Sequence, residues 1–179
     1  MKKLTIAIFC AAIISGCARN DKYPDTPTLE FKSLTFGSDG GINTVTLTAT
    51  FTDGDGDIGY YQDRPNDSIF DSTYSAYYYD FVIALQVYRN NNWKDTAIIM
   101  DVDTTTHDTT FYNESASSRL PYLTQSGQNK GLKGDIDKTS YLPGLSLPGD
   151  TIRFSAFIYD RALHKSNIIY TPGYFIHNP

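Results

Sequence analysis

Thiols are almost missing from this chain of 179 residues: it has two cysteines, Cys10 and Cys17, both near the N-terminus. Nothing beyond position 17 can form a disulfide framework or supply a cysteine to a zinc site. Glutamate is nearly as scarce, with Glu30 and Glu114 against 18 aspartates. That bias argues against helices, because Glu is a good helix former whereas the short Asp side chain competes for the backbone and favours turns and caps. Positive charge is also in deficit, at a formal net charge of −5. No basic stripe is available to displace phosphate counterions, which excludes a nucleic-acid partner. No apolar run is long enough for a transmembrane helix. In place of these are 14 Tyr, 10 Phe and 20 Thr, residues that suit a pleated, half-buried surface.

The longest apolar run, residues 4–14, follows Lys2 and Lys3 and ends in Ile14, Ser15, Gly16 and Cys17. A charged start, a short apolar stretch and small residues before a cut site are the parts of a secretory signal peptide. The motif resembles the lipobox of bacterial lipoproteins, which implies cleavage after Gly16 and a covalent lipid, such as palmitate, on Cys17. Removing residues 1–16 takes away Lys2 and Lys3 and leaves a formal charge of −7. Ala18 after the lipidated cysteine, where an Asp would mark inner-membrane retention, implies the outer membrane, with the domain on its periplasmic face or at the cell surface. The expected organisation is a signal peptide over 1–16, a lipidated flexible tether over 17–28, polar and containing Pro24 and Pro27, and one domain over 29–179.

Within that domain the apolar residues alternate. Leu29, Phe31, Leu34 and Phe36 keep a period of two with one slip at Lys32 and Ser33, which predicts a bulged first strand. Val45, Leu47, Ala49 and Phe51 alternate strictly with threonines. Residues 81–88 are apolar on both faces apart from Gln86, so they predict a central strand, turned by Asn90, Asn91 and Asn92 into a partner over 93–102. Residues 151–158 alternate again, and a last strand over 167–176 contains Pro172, which demands a sheet edge. About seven short strands separated by turn residues predict an all-β, immunoglobulin-like antiparallel sandwich.

Three blocks sharpen this reading: residues 51–59 with the DGDGDIG motif, residues 132–136, and Tyr159, Asp160, Arg161 and Ala162 with Lys165, Ser166 and Asn167. They resemble blocks of an uncharacterised lipoprotein family of Bacteroidetes-type bacteria. The resemblance implies an immunoglobulin-like domain and the same compartment, and brings no activity with it.

Asp53, Asp55 and Asp57 place hard oxygen ligands at alternate positions, with Gly54 and Gly56 free to bend between them, and calcium is the matching ion. An EF-hand is excluded, because Ile58 stands where its glycine belongs and Arg64 where its bidentate Glu belongs. In an immunoglobulin-like topology the loop after the second strand meets the loop before the last, so Asp160 is expected as a fourth metal ligand, with the Asn167 carbonyl as a weaker option. The competing reading is that Arg161 neutralises one of the aspartates and the glycines merely form a tight turn.

Tyr60, Tyr61, Tyr74 and Tyr77, with Tyr78 and Tyr79, crowd residues 60–79 and offer an aromatic surface for a glycan or a protein. The competing expectation starts the central strand at residues 77–79, with alternate rings in the core. Asp followed by Ser or Thr and then a small, apolar or Thr residue occurs six times, where composition gives roughly one. The pattern resembles an O-glycosylation signal of exported Bacteroidetes proteins and nominates Ser68, Ser72, Thr96, Thr104, Thr109 and Thr151. His107, His164 and His177 lack metal-ligand spacing, and no nucleophile elbow or phosphate-binding glycine loop is present, so no enzyme is expected. The sequence thus predicts a membrane-anchored, non-catalytic binding or scaffolding lipoprotein stabilised by calcium, with a carbohydrate-binding accessory protein of a polysaccharide-uptake system as the alternative.

Overall fold

A computed structural model describes residues 23–40, 42–60, 68–72, 75–95, 101–102, 109–110, 116–123, 131–141 and 149–176. Cys17, Tyr61, Tyr74, Thr96, Thr104, His107 and His177 lie outside the described residues.

The chain forms two antiparallel sheets packed face to face. In the first, β1 (Thr28–Asp39) pairs with β2 (Ile42–Asp53), and β2 pairs with a later strand, Leu132–Tyr141. The second is built on β3 (Phe81–Arg89), which pairs with β4 (Asn92–Asp95) on one side and with Thr151–Ile158 on the other. Between these lie β5 (Asp101–Val102) and β6 (Thr109–Thr110), a short ribbon of its own. The long later strands are therefore β7 (Leu132–Tyr141) and β8 (Thr151–Ile158), and β9 (Ile169–Tyr170) and β10 (Tyr174–Phe175) both pair with β8. Among the described residues the two sheets thus have seven strand positions, the last split into two segments, distributed as in an immunoglobulin-like sandwich. A single helical turn, Ser68–Asp71, interrupts the strands.

Local sequence explains most of this. The slip in β1 is a bulge: Phe31 faces Ala49 and Ser33 faces Thr48, with Lys32 left over. In β3 the odd-numbered residues Phe81, Ile83, Leu85 and Val87 are buried, and in β8 Ile152, Phe154, Ala156 and Ile158 answer them. These meet Leu29, Val45, Leu47, Ala49, Phe51 and Ile136 of the first sheet in one core. Asn90 and Asn91 take φ of 54° and 59°, the left-handed pair a two-residue hairpin turn requires, and Asn can adopt it at low cost. Pro172 sits at an edge, as expected, where one extra residue separates the β9 and β10 registers against β8.

Two expectations need correction. The described partner of β3 is Asn92–Asp95, residues 96–100 lie outside the described residues, and the expected pairing over 93–102 does not continue along β3 as far as Phe81, which bridges Ser118. With Gln86 opposite Asp95, residue 100 would face Phe81, so β5 lies past the end of β3. The edge of β3 is instead capped by residues 117 and 118: Phe81 and Ser118 exchange backbone hydrogen bonds, and Ser117 Oγ accepts from Ile83 N–H and donates to Ile83 C=O. The folded domain also begins before Leu29. Pro24 C=O accepts from Gly54 N–H at 2.8 Å, and Pro27 is fully buried, so part of the expected tether belongs to the domain.

Candidate metal centre

Asp53 is the last residue of β2, in the same alternation as Leu47, Ala49 and Phe51, so its side chain points inward at the end of the sandwich. It is 0 % exposed. The loop that follows folds back on it: Asp57 N–H donates to Asp53 Oδ2 at 2.8 Å, and Gly56 takes a φ of +70°. Ile58 is buried and bridges Asp160, and Gly59 takes a φ of +85° directly against the Pro121 carbonyl, where a Cβ would approach the oxygen to 1.9 Å. Glycine is the residue those two turns require.

The loop between β8 and β9 closes over this one. Arg161 N–H donates to Asp57 C=O at 3.2 Å, and Ala162 N–H donates to Asp57 Oδ2 at 3.0 Å. The Arg161 guanidinium donates through Nη1 to the carbonyls of Ile58 and Gly59 and lies over the Tyr122 ring. The expected meeting of the two loops is therefore observed.

Asp53, Asp55 and Asp57 each bring one carboxylate oxygen within 4.8 Å of the others. The Oδ1 atoms of all three are buried and accept no hydrogen bond. Burial, with the neighbouring Asp55, Asp57 and Asp160 charges, pushes Asp53 up to about 7, although the Asp57 amide pulls the other way. Burial followed by Asp160 and Asp55 pushes Asp57 up to about 6, against the opposing pull of Arg161 and the Ala162 amide. Like carboxylates this close favour a proton or a cation between them. Arg161 eases Asp57, as the arginine-clamp alternative expects, and its guanidinium also holds the Ile58 and Gly59 carbonyls.

Asp160, expected as the fourth ligand, is fully buried beside the cluster but is not gathered with it. Its Oδ1 accepts from His164 N–H at 2.7 Å and its Oδ2 meets His164 Nδ1 at 2.9 Å. Leu163, at a φ of +68°, makes the tight turn that brings His164 back onto Asp160. This contact raises the His164 pKa. Asn167 is committed elsewhere, since its side-chain amide accepts from Leu29 N–H and donates to Leu29 C=O.

Among the described tyrosines of residues 60–79 none is exposed. Tyr60 is buried, with Arg119 5.1 Å from its ring centroid, and is removed from the candidate ligand surface. Tyr77 is half-buried, edge-on to Tyr159. The central strand begins at Phe81, so residues 77–79 do not start it. Of the nominated glycosylation residues, Ser68 falls in the helical turn, Ser72 is half-buried just after it, Thr109 lies in β6, and Thr151 opens β8, paired with Tyr88 and Phe175.

Sequence reasoning missed Asp80. It precedes β3, is 0 % exposed, and accepts from Leu120 N–H at 2.7 Å through Oδ1, while Oδ2 has no partner. Burial pushes it up to about 7. The available signal was an acid set directly against an apolar strand start. It also missed the outer face of the second sheet, where the Arg153 guanidinium lies between Trp93 and Tyr170, 4.3 and 4.4 Å from their centroids, with Tyr88 and Phe175 exposed nearby. No family model matches this chain, and no curated protein matches it.

Proposed function

We propose that this protein is a membrane-anchored, non-catalytic binding or scaffolding lipoprotein of the outer membrane whose sandwich is stabilised at one end by calcium. The observation that carries the metal part is that Asp53, Asp55 and Asp57 each bring a carboxylate oxygen within 4.8 Å of the others and each keep a buried Oδ1 without a hydrogen-bond partner, Asp53 being fully buried. Carboxylate oxygens suit a hard cation, and calcium's larger and more flexible shell tolerates three protein ligands completed by water or carbonyls. The anchor rests on Cys17 and the residues before it.

Calorimetric melting in calcium and in chelator tests the metal. At a hundred times the dissociation constant, stability should rise by about 2.7 kcal/mol, and Asp55→Asn should remove most of that gain. A melting temperature indifferent to millimolar calcium and to chelator refutes calcium at this site.

A second reading, the carbohydrate-binding accessory protein, is favoured by the aromatic outer face of β4, β3, β8, β9 and β10 rather than by residues 60–79. Tyr88, Tyr170 and Phe175 are exposed there beside Trp93 and Arg153. Flat rings with a polar fringe of Gln86 and Asp95 suit sugar rings. Retardation on polysaccharide affinity gels, lost in Tyr170→Ala, supports this reading; unretarded migration on all of them removes it.

A further inference from the structure

The Asp-rich loop is also where the N-terminal end of the described chain is fastened. Gly54 lies between Asp53 and Asp55, and its N–H donates to Pro24 C=O at 2.8 Å. The two backbones touch: a Cβ on Gly54 would lie 2.2 Å from the Tyr23 carbonyl oxygen and 2.7 Å from the Pro24 carbonyl carbon. Farther along, other forces hold the chain. Pro27 is fully buried, Thr28 Oγ1 bonds Thr52 Oγ1 at 2.6 Å, and the Asn167 amide grips both backbone groups of Leu29. Pro24, Asp25 and Thr26 between them are exposed. Docking of Tyr23 and Pro24 therefore depends on where the Gly54 peptide sits, and the carboxylates on either side of that peptide are the ones that converge.

We propose that calcium at Asp53, Asp55 and Asp57 controls this docking, so that the N-terminal segment leaves the domain at Tyr23 when the ion is bound and near Pro27 when it is not. This rests on the metal reading above. Without the ion, mutual repulsion of the three carboxylates spreads the loop, moves the Gly54 amide and releases Pro24. With the ion, the loop is drawn into one shape and the amide is presented to Pro24. Because coupling is reciprocal, docking in turn strengthens ion binding. Releasing four residues adds about 14 Å to the reach of the segment that precedes the domain, so calcium shortens and stiffens the connection to whatever that segment is attached to.

Endoproteinase Lys-C, which does not need calcium, cuts after Lys22 only if Tyr23 and the residues after it can enter the protease cleft. On the full chain in detergent, the cut after Lys22 is compared with the cut after Lys94 on the distant β4, which reports general opening. Calcium should lower the ratio of the first to the second at least tenfold, and in Asp55→Asn the ratio should not respond. If calcium raises the melting temperature but leaves the ratio unchanged, the metal reading stands and the coupling is wrong. Calcium protection that survives in Asp55→Asn also overturns the coupling. If neither melting nor cleavage responds to calcium, the metal reading falls and the coupling falls with it.

Discussion

Asp80 illustrates how a single residue can set the pH response of the fold. Its carboxyl is buried with one oxygen bonded to the Leu120 amide and the other unpartnered, and its folded pKa of about 7 lies above the ordinary 3.8. Between those values the folded state keeps a proton that the unfolded chain has released, so stability falls as pH rises from 4 to 7 and levels off above. A shift of roughly three units corresponds to a cost of about 4 kcal/mol at pH 8. Asp80→Asn keeps the acceptor for Leu120 and cannot ionise. Denaturant titrations should find it more stable than the parent at pH 8 and equal to it near pH 4; an unchanged pH profile would mean that Asp80 is ionised without penalty. Asp53 and Asp57 add the same sign of dependence in chelator, and calcium should flatten it by holding both ionised. The glycines offer a second residue-scale test. Gly59 and Gly149 have nearly the same positive φ, +85° and +84°, but a Cβ at Gly59 runs into Pro121 whereas nothing lies within 4 Å at Gly149. Gly149→Ala should cost about 1 kcal/mol from backbone strain alone, and Gly59→Ala should cost on the order of 3 kcal/mol or more. Equal losses would mean that Pro121 yields freely.

At the scale of elements, the edge of β3 is the part that strand patterning could not foresee. Ser117 Oγ serves both backbone groups of Ile83 in a buried position. Ser117→Ala leaves that donor and acceptor facing an apolar methyl group, so a loss of about 2 kcal/mol is expected in urea unfolding. Ser117→Thr should retain most of the stability. The β3–β4 hairpin makes the opposite prediction. Asn91 already adopts a left-handed φ of 59°, and glycine adopts it without penalty, so Asn91→Gly should stabilise by about 0.5 kcal/mol while Asn91→Val destabilises by about 1–2 kcal/mol. Identical unfolding midpoints for the two variants would show that the turn does not limit the hairpin.

For the molecule as a whole, the core is self-sufficient in kind, with two sheets burying one continuous apolar cluster. The calcium reading therefore concerns one end of the sandwich, and its loss should loosen loops before it unfolds strands. Fractionation tests the anchor: Cys17→Ala should move the protein from membranes to the soluble fraction, and labelled fatty acid still incorporated into that variant would refute lipidation at Cys17. Intact mass of native protein tests the nominated glycosylation residues. Ser68 and Ser72, around the helical turn, should be occupied before Thr151, which is tied into β8 between two paired strands. A mass equal to the lipidated polypeptide alone refutes glycosylation.

The sequence by itself determined what depends on neighbours a few residues apart. Period-two alternation fixed the strands, the slip at Lys32 fixed the bulge, and Pro172 fixed an edge, because side-chain direction and proline's missing N–H act locally. It also determined that three carboxylates would converge, since two flexible glycines separate them, and the expected sandwich topology brought the two loops to the same end. Tertiary structure alone decided which polar groups are left without partners. Asp160 turns to His164, Asn167 to Leu29, Tyr60 and Asp80 are buried, and Pro24 settles on Gly54. Apart from the turn at His164, these contacts join segments some 30 to 140 residues apart. No local period encodes them, and each is chosen by what the packed sheets leave within hydrogen-bonding reach.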